Sequence, residues 1–361
     1  MLDYFFFLFV LLSIINVQIK EPNNFFSDYM KLDNTNSIKG IFVWLILFAH
    51  ERNYLIKKNF LFVKAINFLT QNLVAMFLFY SGFGIYESLK KKGFNYSQTL
   101  LYKAIILFIK SQIIILIYLA ENIFILKNRI TLKRYILSII FKTGLGNSFW
   151  FAFTIIIFYI YCYLSFNFCK NFYLGLIIIN FICLIHIYLV YNFYFQHWII
   201  PVQTVLCFLF GFYYSLFHQY SDKVIMKNDI FYFAALSISI YFYYEFTHPF
   251  TIIIRSIRNL LFTVIVLLIS MKVRLKNNFL SFLNSHSYSI YLLQRLIMII
   301  VHKKKLLIKY NFIRISFEFT SIFFIACLFD KYTLFIDKIF YRNVFKSKLS
   351  KNNIIDNISI K

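Results

Sequence analysis

Residues 37–52 of this chain read SIKGIFVWLILFAHER, an almost unbroken apolar run with a lysine near its start and a histidine near its end. The run predicts one helix, in which eleven positions separate Lys39 from His50. A helix turns about 100° and rises about 1.5 Å per residue, so both side chains lie on one face, roughly 16 Å apart along the axis. A cation at one membrane edge with a titratable base deeper on the same face suits an anionic donor at the edge and proton chemistry further in.

The composition around this run is that of a membrane protein. Hydrophobic residues make up 61% of the chain and charged residues only 14%, whereas a soluble domain is close to half apolar and a quarter charged. Apolar runs of about 18–25 residues, the length that crosses a bilayer, recur along the chain. We predict an all-α polytopic membrane protein with about 10–11 transmembrane helices. The predicted helices are 4–19, 38–52, 69–88, 101–125, 148–168, 173–192, 198–217, 229–246, 252–271, 280–301 and 314–336.

These helices are predicted to form one integral membrane domain over residues 1–340, followed by a basic cytoplasmic tail over residues 341–361. The first run has no basic segment before it and no small-residue cleavage site after it. We therefore expect a retained anchor, with a cleaved signal peptide as the alternative. The polar residues 20–37 are expected to lie on the membrane surface.

The net charge of +24 indicates membrane orientation and contact with anionic lipid, because no soluble domain is predicted that would carry a nucleic-acid site. With the N-terminus outside, the run Lys90 to Lys92 and the basic tail both fall on the cytoplasmic side of the inner membrane. This orientation places Lys39 near the cytoplasmic face and His50 toward the outer half. Several outer loops are basic as well, through Lys57, Lys58, Lys127, Arg129, Lys133, Arg134 and Lys303 to Lys305.

The five cysteines give no sign of a metal site or a disulfide framework. Most lie within apolar runs, and no two are spaced as a CxxC pair. We therefore predict no metal and no structural disulfide.

Charged side chains inside the apolar runs are the candidates for chemistry, because charges in a membrane are costly and usually face a cavity or a partner. His50 is the strongest, as a catalytic base with a packing histidine as the alternative. Its neighbour Glu51 is a candidate to orient His50 or raise its pKa, although adjacent residues point about 100° apart on a helix. The others are Arg52, Lys103, Lys110, Glu121, His186, Arg255, Arg258, Arg295 and Glu318.

Three further features have both a structural and a functional interpretation. The pair Ser81-Gly82 either lets helices pack closely or opens space beside His50 for an acyl donor. Lys90, Lys91 and Lys92 either set topology or dock a phosphate-rich cofactor. Arg255 and Arg258 either extend to the interface or bind an anionic substrate from the outer side.

Several short motifs follow one another along the chain. They are Lys39 and His50 with ten residues between them, Phe79-Tyr80-Ser81-Gly82-Phe83, Trp150-Phe151, Cys207-Phe208-Leu209-Phe210-Gly211 and Ser287-Tyr288-Ser289-Ile290-Tyr291-Leu292-Leu293-Gln294. Their order and spacing resemble the acyltransferase 3 family, membrane-bound O-acyltransferases that modify bacterial surface glycans. The resemblance covers about residues 30–300.

The chain departs from the family pattern at three places. Lys39 stands where the family usually has arginine, which keeps the charge and loses the bidentate fork. The lysines at 90–92 stand near an arginine pair of the family, and Gln294 stands where members often have histidine.

The resemblance implies transfer of an acyl group, expected to be acetyl, from cytoplasmic acetyl-CoA to a hydroxyl of a lipid-linked or cell-surface polysaccharide. His50 is then the general base or a transient acyl carrier. Lys39, Ser81 and the 90–92 lysines then hold the donor, and Arg255 and Arg258 the substrate. The alternative is a transporter or flippase of lipid-linked oligosaccharide, which predicts no dependence on acyl-CoA.

Overall fold

The computed structural model describes residues 2–55, 61–69, 72–193, 199–247, 251–306 and 311–349. Helices dominate this part of the chain. They are α1 (Leu2–Ser13), α2 (Leu32–Glu51), α3 (Leu61–Leu69), α4 (Asn72–Lys92), α5 (Tyr96–Ala120), α6 (Leu132–Ile139), α7 (Trp150–Cys169), α8 (Phe172–Phe193), α9 (Ile199–Ile225), α10 (Asp229–Glu245), α11 (Ile252–Lys272), α12 (Asn278–Ser285), α13 (Ser287–Lys303) and α14 (Asn311–Leu349). A 3₁₀ turn (Arg52–Tyr54) follows α2 and a π-helical turn (Glu121–Ile125) follows α5. Strands β1 (Val17–Ile19) and β2 (Val273–Leu275) pair antiparallel, with Val17 opposite Leu275.

The predicted all-α, multi-pass membrane class is confirmed. Among the described residues, five helices are long and apolar enough to cross a membrane, and a sixth span results if the bent pair α3–α4 counts as one. The outward-facing side chains of α8 are apolar, as expected for a helix that faces lipid. Phe181 is 63% exposed and Ile177 65% exposed, which is unfavourable in water and matches contact with lipid chains.

The first two helix predictions had wrong ends. α1 ends at Ser13 because residues 17–19 pair with 273–275, so the predicted helix 4–19 is too long. α2 begins at Leu32, so residues 32–37 are helical and not a surface loop. The polar side chains there are buried because they have partners. Asn34 accepts from the Leu275 backbone N–H at 2.9 Å and donates to the Tyr29 carbonyl at 2.9 Å.

The end of the chain differs from prediction as well. The predicted helix 280–301 is two helices that meet at His286, and the short helices α3 and α6 were not predicted. α14 continues to Leu349, beyond the predicted start of the tail at residue 341. Residues 350–361 of that tail, and Lys57 and Lys58 of the outer loops, lie outside the described residues.

Glycines allow α2 and α4 to pack closely on their neighbours. A Cβ at Gly40 would overlap the carbonyl oxygen of Leu280, so α12 lies directly against α2. A Cβ at Gly82 would overlap the carbonyl oxygen of Phe208, and one at Gly211 that of Phe79. Small residues at such crossings are the usual means of close helix packing in membranes. The α4–α9 contact is thus the structural role of Gly82.

The helices define two sides of the molecule. α2 and α4 run antiparallel. Tyr29, just before α2, and Phe83, late in α4, both contact Tyr214. Phe42, further along α2, is linked through Phe262 and Tyr243 to Asn72 at the start of α4. The Lys90–Lys92 end of α4 therefore lies on the same side as the start of α2. α14 ends on this side too, since Arg314 near its start contacts Glu51 at the end of α2. The predicted grouping of Lys39, the 90–92 lysines and the C-terminal end on one side agrees with this arrangement.

Candidate functional site

A cavity of about 420 Å³ lies between α2, α4, α5, α7 and the α12–α13 pair. Two of the predicted site residues, Lys39 and Ser81, line it. Most of the remaining lining is aromatic or aliphatic, which is typical of a ligand site with a few placed polar groups. The cavity also has chemically different ends, described in turn below.

The basic end of the cavity lies around Lys39 and Lys103. The Lys39 ammonium lies 5.9 Å from the centroid of the Tyr80 ring, and no carboxylate among the described residues pairs with it. Lys103 donates to the Tyr96 hydroxyl at 3.0 Å, and Lys92 lies 5.5 Å from the centroid of the same ring. Lys39 and Lys103 thus place two cations at this end, and Lys92 stands outside the cavity against the same Tyr96 ring, an arrangement that suits the binding of a phosphate-rich group.

The inner end of the cavity lies around Ile46 and Gln294. Its polar lining groups are uncharged. The hydroxyl proton of Tyr291 and the Oε1 atom of Gln294 have no hydrogen-bond partner among the described groups, whereas Gln294 Nε2 donates to the Tyr291 carbonyl at 3.0 Å. Unpaired buried polar atoms are rare in folded proteins and indicate a place where a ligand completes the hydrogen bonding.

His50 lies beyond the inner end and does not line the cavity. It follows Ile46 by four residues, which is about one helical turn or 6 Å along α2. Its ring is partly buried, and Arg52 and Arg295 are the cations close enough to act on it. The structure thus brings Lys39 and Ser81 together and places His50 one turn further along the same helix.

Glu51 points away from the cavity and from His50, contrary to the expectation that it orients His50. Its Oε1 atom lies 2.7 Å from Nη2 of Arg314, and both side chains are almost completely buried. Arg314 also contacts Glu318 at 3.3 Å and the ring of His302. Because adjacent residues on a helix point about 100° apart, the Glu51 side chain that pairs with α14 does not reach the ring of His50.

This cluster contains a possible ligand set for a cation. Carboxylate oxygens of Glu51 and Glu318 and a ring nitrogen of His302 lie within 4.8 Å of one another. The Arg314 guanidinium already contacts both carboxylates, and a positive charge between them opposes a second one. The cluster is therefore better described as an ion-pair lock between α2 and α14 than as a metal site.

The lysines at the end of α4 lie outside the cavity. Lys90 pairs with Glu87 at 2.5 Å and donates to the Ser215 carbonyl at 2.9 Å, which ties α4 to α9. Lys91 is exposed, and Lys92 reaches the cavity only through Tyr96. A donor-binding role for these three lysines stays a prediction, with Lys92 the best placed.

The two arginines of α11 are remote from the cavity lining. Arg258 stacks on Phe68 and Tyr243, with its guanidinium 4.8 and 4.7 Å from the ring centroids. It also donates to the Phe68 carbonyl at 3.1 Å, so it joins α3, α10 and α11. Arg255 is partly buried on the same helix. Their predicted contact with substrate stays a prediction.

Several residues of the site were not assigned a role from the sequence. Lys103 appeared only as one intramembrane charge among many, because nothing local shows that α5 lies against α2. Tyr291 and Gln294 stood in a motif without a role. Arg314 lies 263 positions after Glu51 and carries no local signal of that pairing.

The arrangement combines cations at one end, unpaired neutral donors and acceptors at the other, and a histidine one turn beyond. Such a site is able to hold a molecule that is anionic at one end and neutral and polar at the other. No model of a known protein family, no curated protein and no solved structure matches this chain.

Proposed function

We propose that the protein is a membrane O-acyltransferase of the inner membrane. It transfers an acyl group, acetyl in the simplest case, from acyl-CoA to a hydroxyl of a cell-surface or lipid-linked polysaccharide. The observation that carries the proposal is the cavity, which has its lysines at the end nearest the predicted cytoplasmic face and points along α2 toward His50.

The basic end suits the donor. Coenzyme A is anionic through its phosphates, and lysines bind phosphate as point charges. Lys39 and Lys103 line the cavity itself, and Lys92 stands beside Lys103 across the Tyr96 ring. In this proposal they hold the phosphates while the acyl end extends past Ser81 toward the inner end.

The inner end and His50 suit the chemistry. A sugar hydroxyl is a poor nucleophile at neutral pH, so a base must take its proton during attack on the thioester. A histidine accepts and releases a proton at a ring nitrogen and performs that role in many enzymes. His50 shares the helix of Lys39, so one rigid element sets the distance between the donor-binding cation and the base.

The test uses purified full-length protein in liposomes, with radiolabelled acetyl-CoA and a glycan extract as acceptor. His50→Ala and His50→Gln should lower acylation by about a hundredfold to ten-thousandfold, the usual contribution of general base catalysis. His50→Gln keeps approximate size and hydrogen bonding but does not cycle a proton near neutral pH. Both variants should insert and show wild-type thermal stability, because His50 is only partly buried.

Two results would count against the proposal. Near wild-type acylation by His50→Gln, with loss in His50→Ala, would make His50 a packing residue. The base would then be sought among Glu121, Glu318 and His286. Absence of acetyl transfer by the wild-type protein, with acetyl-CoA-independent movement of a lipid-linked oligosaccharide, would favour the transporter alternative.

A further inference from the structure

The inner end of the cavity contains a tyrosine hydroxyl that packing does not explain. Tyr291 is 6% exposed and lines the cavity; the backbone of Phe151 bonds to its hydroxyl oxygen, but the hydroxyl proton has no acceptor among the described groups. Gln294, one turn further along α13, is 0% exposed and has an unpaired Oε1 atom on the same cavity wall. By contrast, Tyr288 lines the cavity with its hydroxyl bonded to Ser111 at 2.7 Å and to the Leu107 carbonyl at 2.9 Å.

The position of Tyr291 is set by the start of α7. Its ring packs edge-to-face on Phe151, with the ring centroids 5.2 Å apart. Phe151 is the second residue of α7, and the residue before the helix, Phe149, provides no side-chain cap. The Phe151 backbone N–H, in the first turn of α7, donates to the Tyr291 hydroxyl oxygen, and the dipoles of that turn favour negative charge nearby.

One cationic side chain lies near the same hydroxyl. Arg295, four residues after Tyr291 on α13, acts electrostatically on both Tyr291 and His50. The Tyr291 hydroxyl thus has the first turn of α7 and an arginine as neighbours. A group that gains negative charge during a reaction is stabilised by this arrangement.

We infer that the Tyr291 hydroxyl donates a hydrogen bond to the acyl carbonyl oxygen of the donor as that oxygen becomes an oxyanion. The inference rests on the proposed acyl transfer. As the acceptor hydroxyl attacks, its proton passes to His50, a C–O bond forms, and the carbonyl π pair moves onto the oxygen held by Tyr291. When the carbonyl re-forms, the C–S bond breaks and the thiolate of coenzyme A leaves. The proton taken by His50 balances the protonation of that thiolate.

The test compares Tyr291→Phe with Tyr118→Phe in the liposome assay, with kcat and the KM for acetyl-CoA measured separately. Tyr291→Phe keeps the ring against Phe151 and removes only the hydroxyl. Its kcat should fall roughly 100- to 1,000-fold, as for loss of one oxyanion donor, with the KM within about twofold of wild type. Tyr118, outside the cavity lining, donates to the Leu292 carbonyl at 3.0 Å, so Tyr118→Phe removes a satisfied structural hydroxyl and should keep the wild-type kcat.

Each other outcome has a definite meaning. A kcat for Tyr291→Phe within twofold of wild type, with His50→Gln inactive, overturns the inference and leaves the proposed function standing. Loss of acetyl-CoA binding together with kcat, measured by calorimetry on the purified variant, makes Tyr291 a structural residue and also overturns it. Failure of the wild-type protein to transfer any acyl group overturns the proposed function and the inference with it.

Discussion

Replacement of Arg314 by methionine should destabilise the protein more than any change at the cavity. The guanidinium is 1% exposed and contacts Glu51 and Glu318, both 0% exposed. Arg314→Met leaves two buried carboxylates with only the His302 ring, 3.4 Å from Glu318, beside them. Removal of one partner from a buried ion pair costs about 3–5 kcal/mol, because the remaining charge has neither water nor counter-ion.

The partner variants test the source of that loss. Glu51→Gln keeps the Arg314–Glu318 contact and should cost less than Arg314→Met. Addition of Glu51→Gln and Glu318→Gln to Arg314→Met should restore part of the stability, because it removes the uncompensated charges along with the arginine.

The measurement is thermal unfolding of the detergent-solubilised protein, monitored by the fluorescence of a thiol-reactive dye at the buried cysteines. A shift of about 2–4 °C per kcal/mol predicts a fall in Tm on the order of 10 °C for Arg314→Met. A fall of under about 2 °C, or a triple variant less stable than Arg314→Met, would refute the ion-pair lock. Glu51→Gln should also keep most of its acylation at low temperature, since Glu51 faces α14 and not His50.

Two further predictions concern the donor side. Lys39→Ala should raise the KM for acetyl-CoA by roughly 10- to 150-fold, the cost of one charge-assisted contact. Lys39→Arg keeps the charge and should keep much of the affinity. An unchanged KM in Lys39→Ala would show that Lys39 does not bind the donor. The orientation is tested with single cysteines in a protein whose native cysteines are replaced. Lys91→Cys and Ser347→Cys should resist an impermeant thiol reagent in intact cells, whereas Lys133→Cys should react with it. The opposite pattern of labelling would reverse the predicted orientation.

The sequence was sufficient for features that depend on spacing along one helix. The apolar runs predicted an all-α membrane protein, which is confirmed. The spacing of Lys39 and His50 predicted one helix, and both lie on α2; their shared face stays a prediction. It was insufficient where pairing partners are distant in the chain. The polar start of α2 reads as a surface loop, yet Ser37 is 0% exposed because the backbone at Asn277 bonds to it.

The same limit applies to the candidate site. Ser81 and Lys39 were selected from local patterns, and both line the cavity. The roles of Lys103 and Tyr291 depend on which helices become neighbours, which local periodicity does not determine. The two meanings of Ser81-Gly82 both apply, one to each residue: Gly82 permits the approach of α9, and Ser81 faces the cavity.

The distribution of polar groups along the cavity also determines how a donor would enter. No charged side chain lines the inner end among the described residues, so a phosphate taken there would lose its water and its contacts with the lysines, at a cost of several kcal/mol. At the basic end it meets Lys39 and Lys103 instead. A neutral acyl thioester has no such penalty and gains hydrogen bonds from groups that otherwise lack partners, such as the Tyr291 hydroxyl. A molecule with phosphates at one end and a carbonyl at the other is therefore bound in one direction only, with its carbonyl nearest to His50.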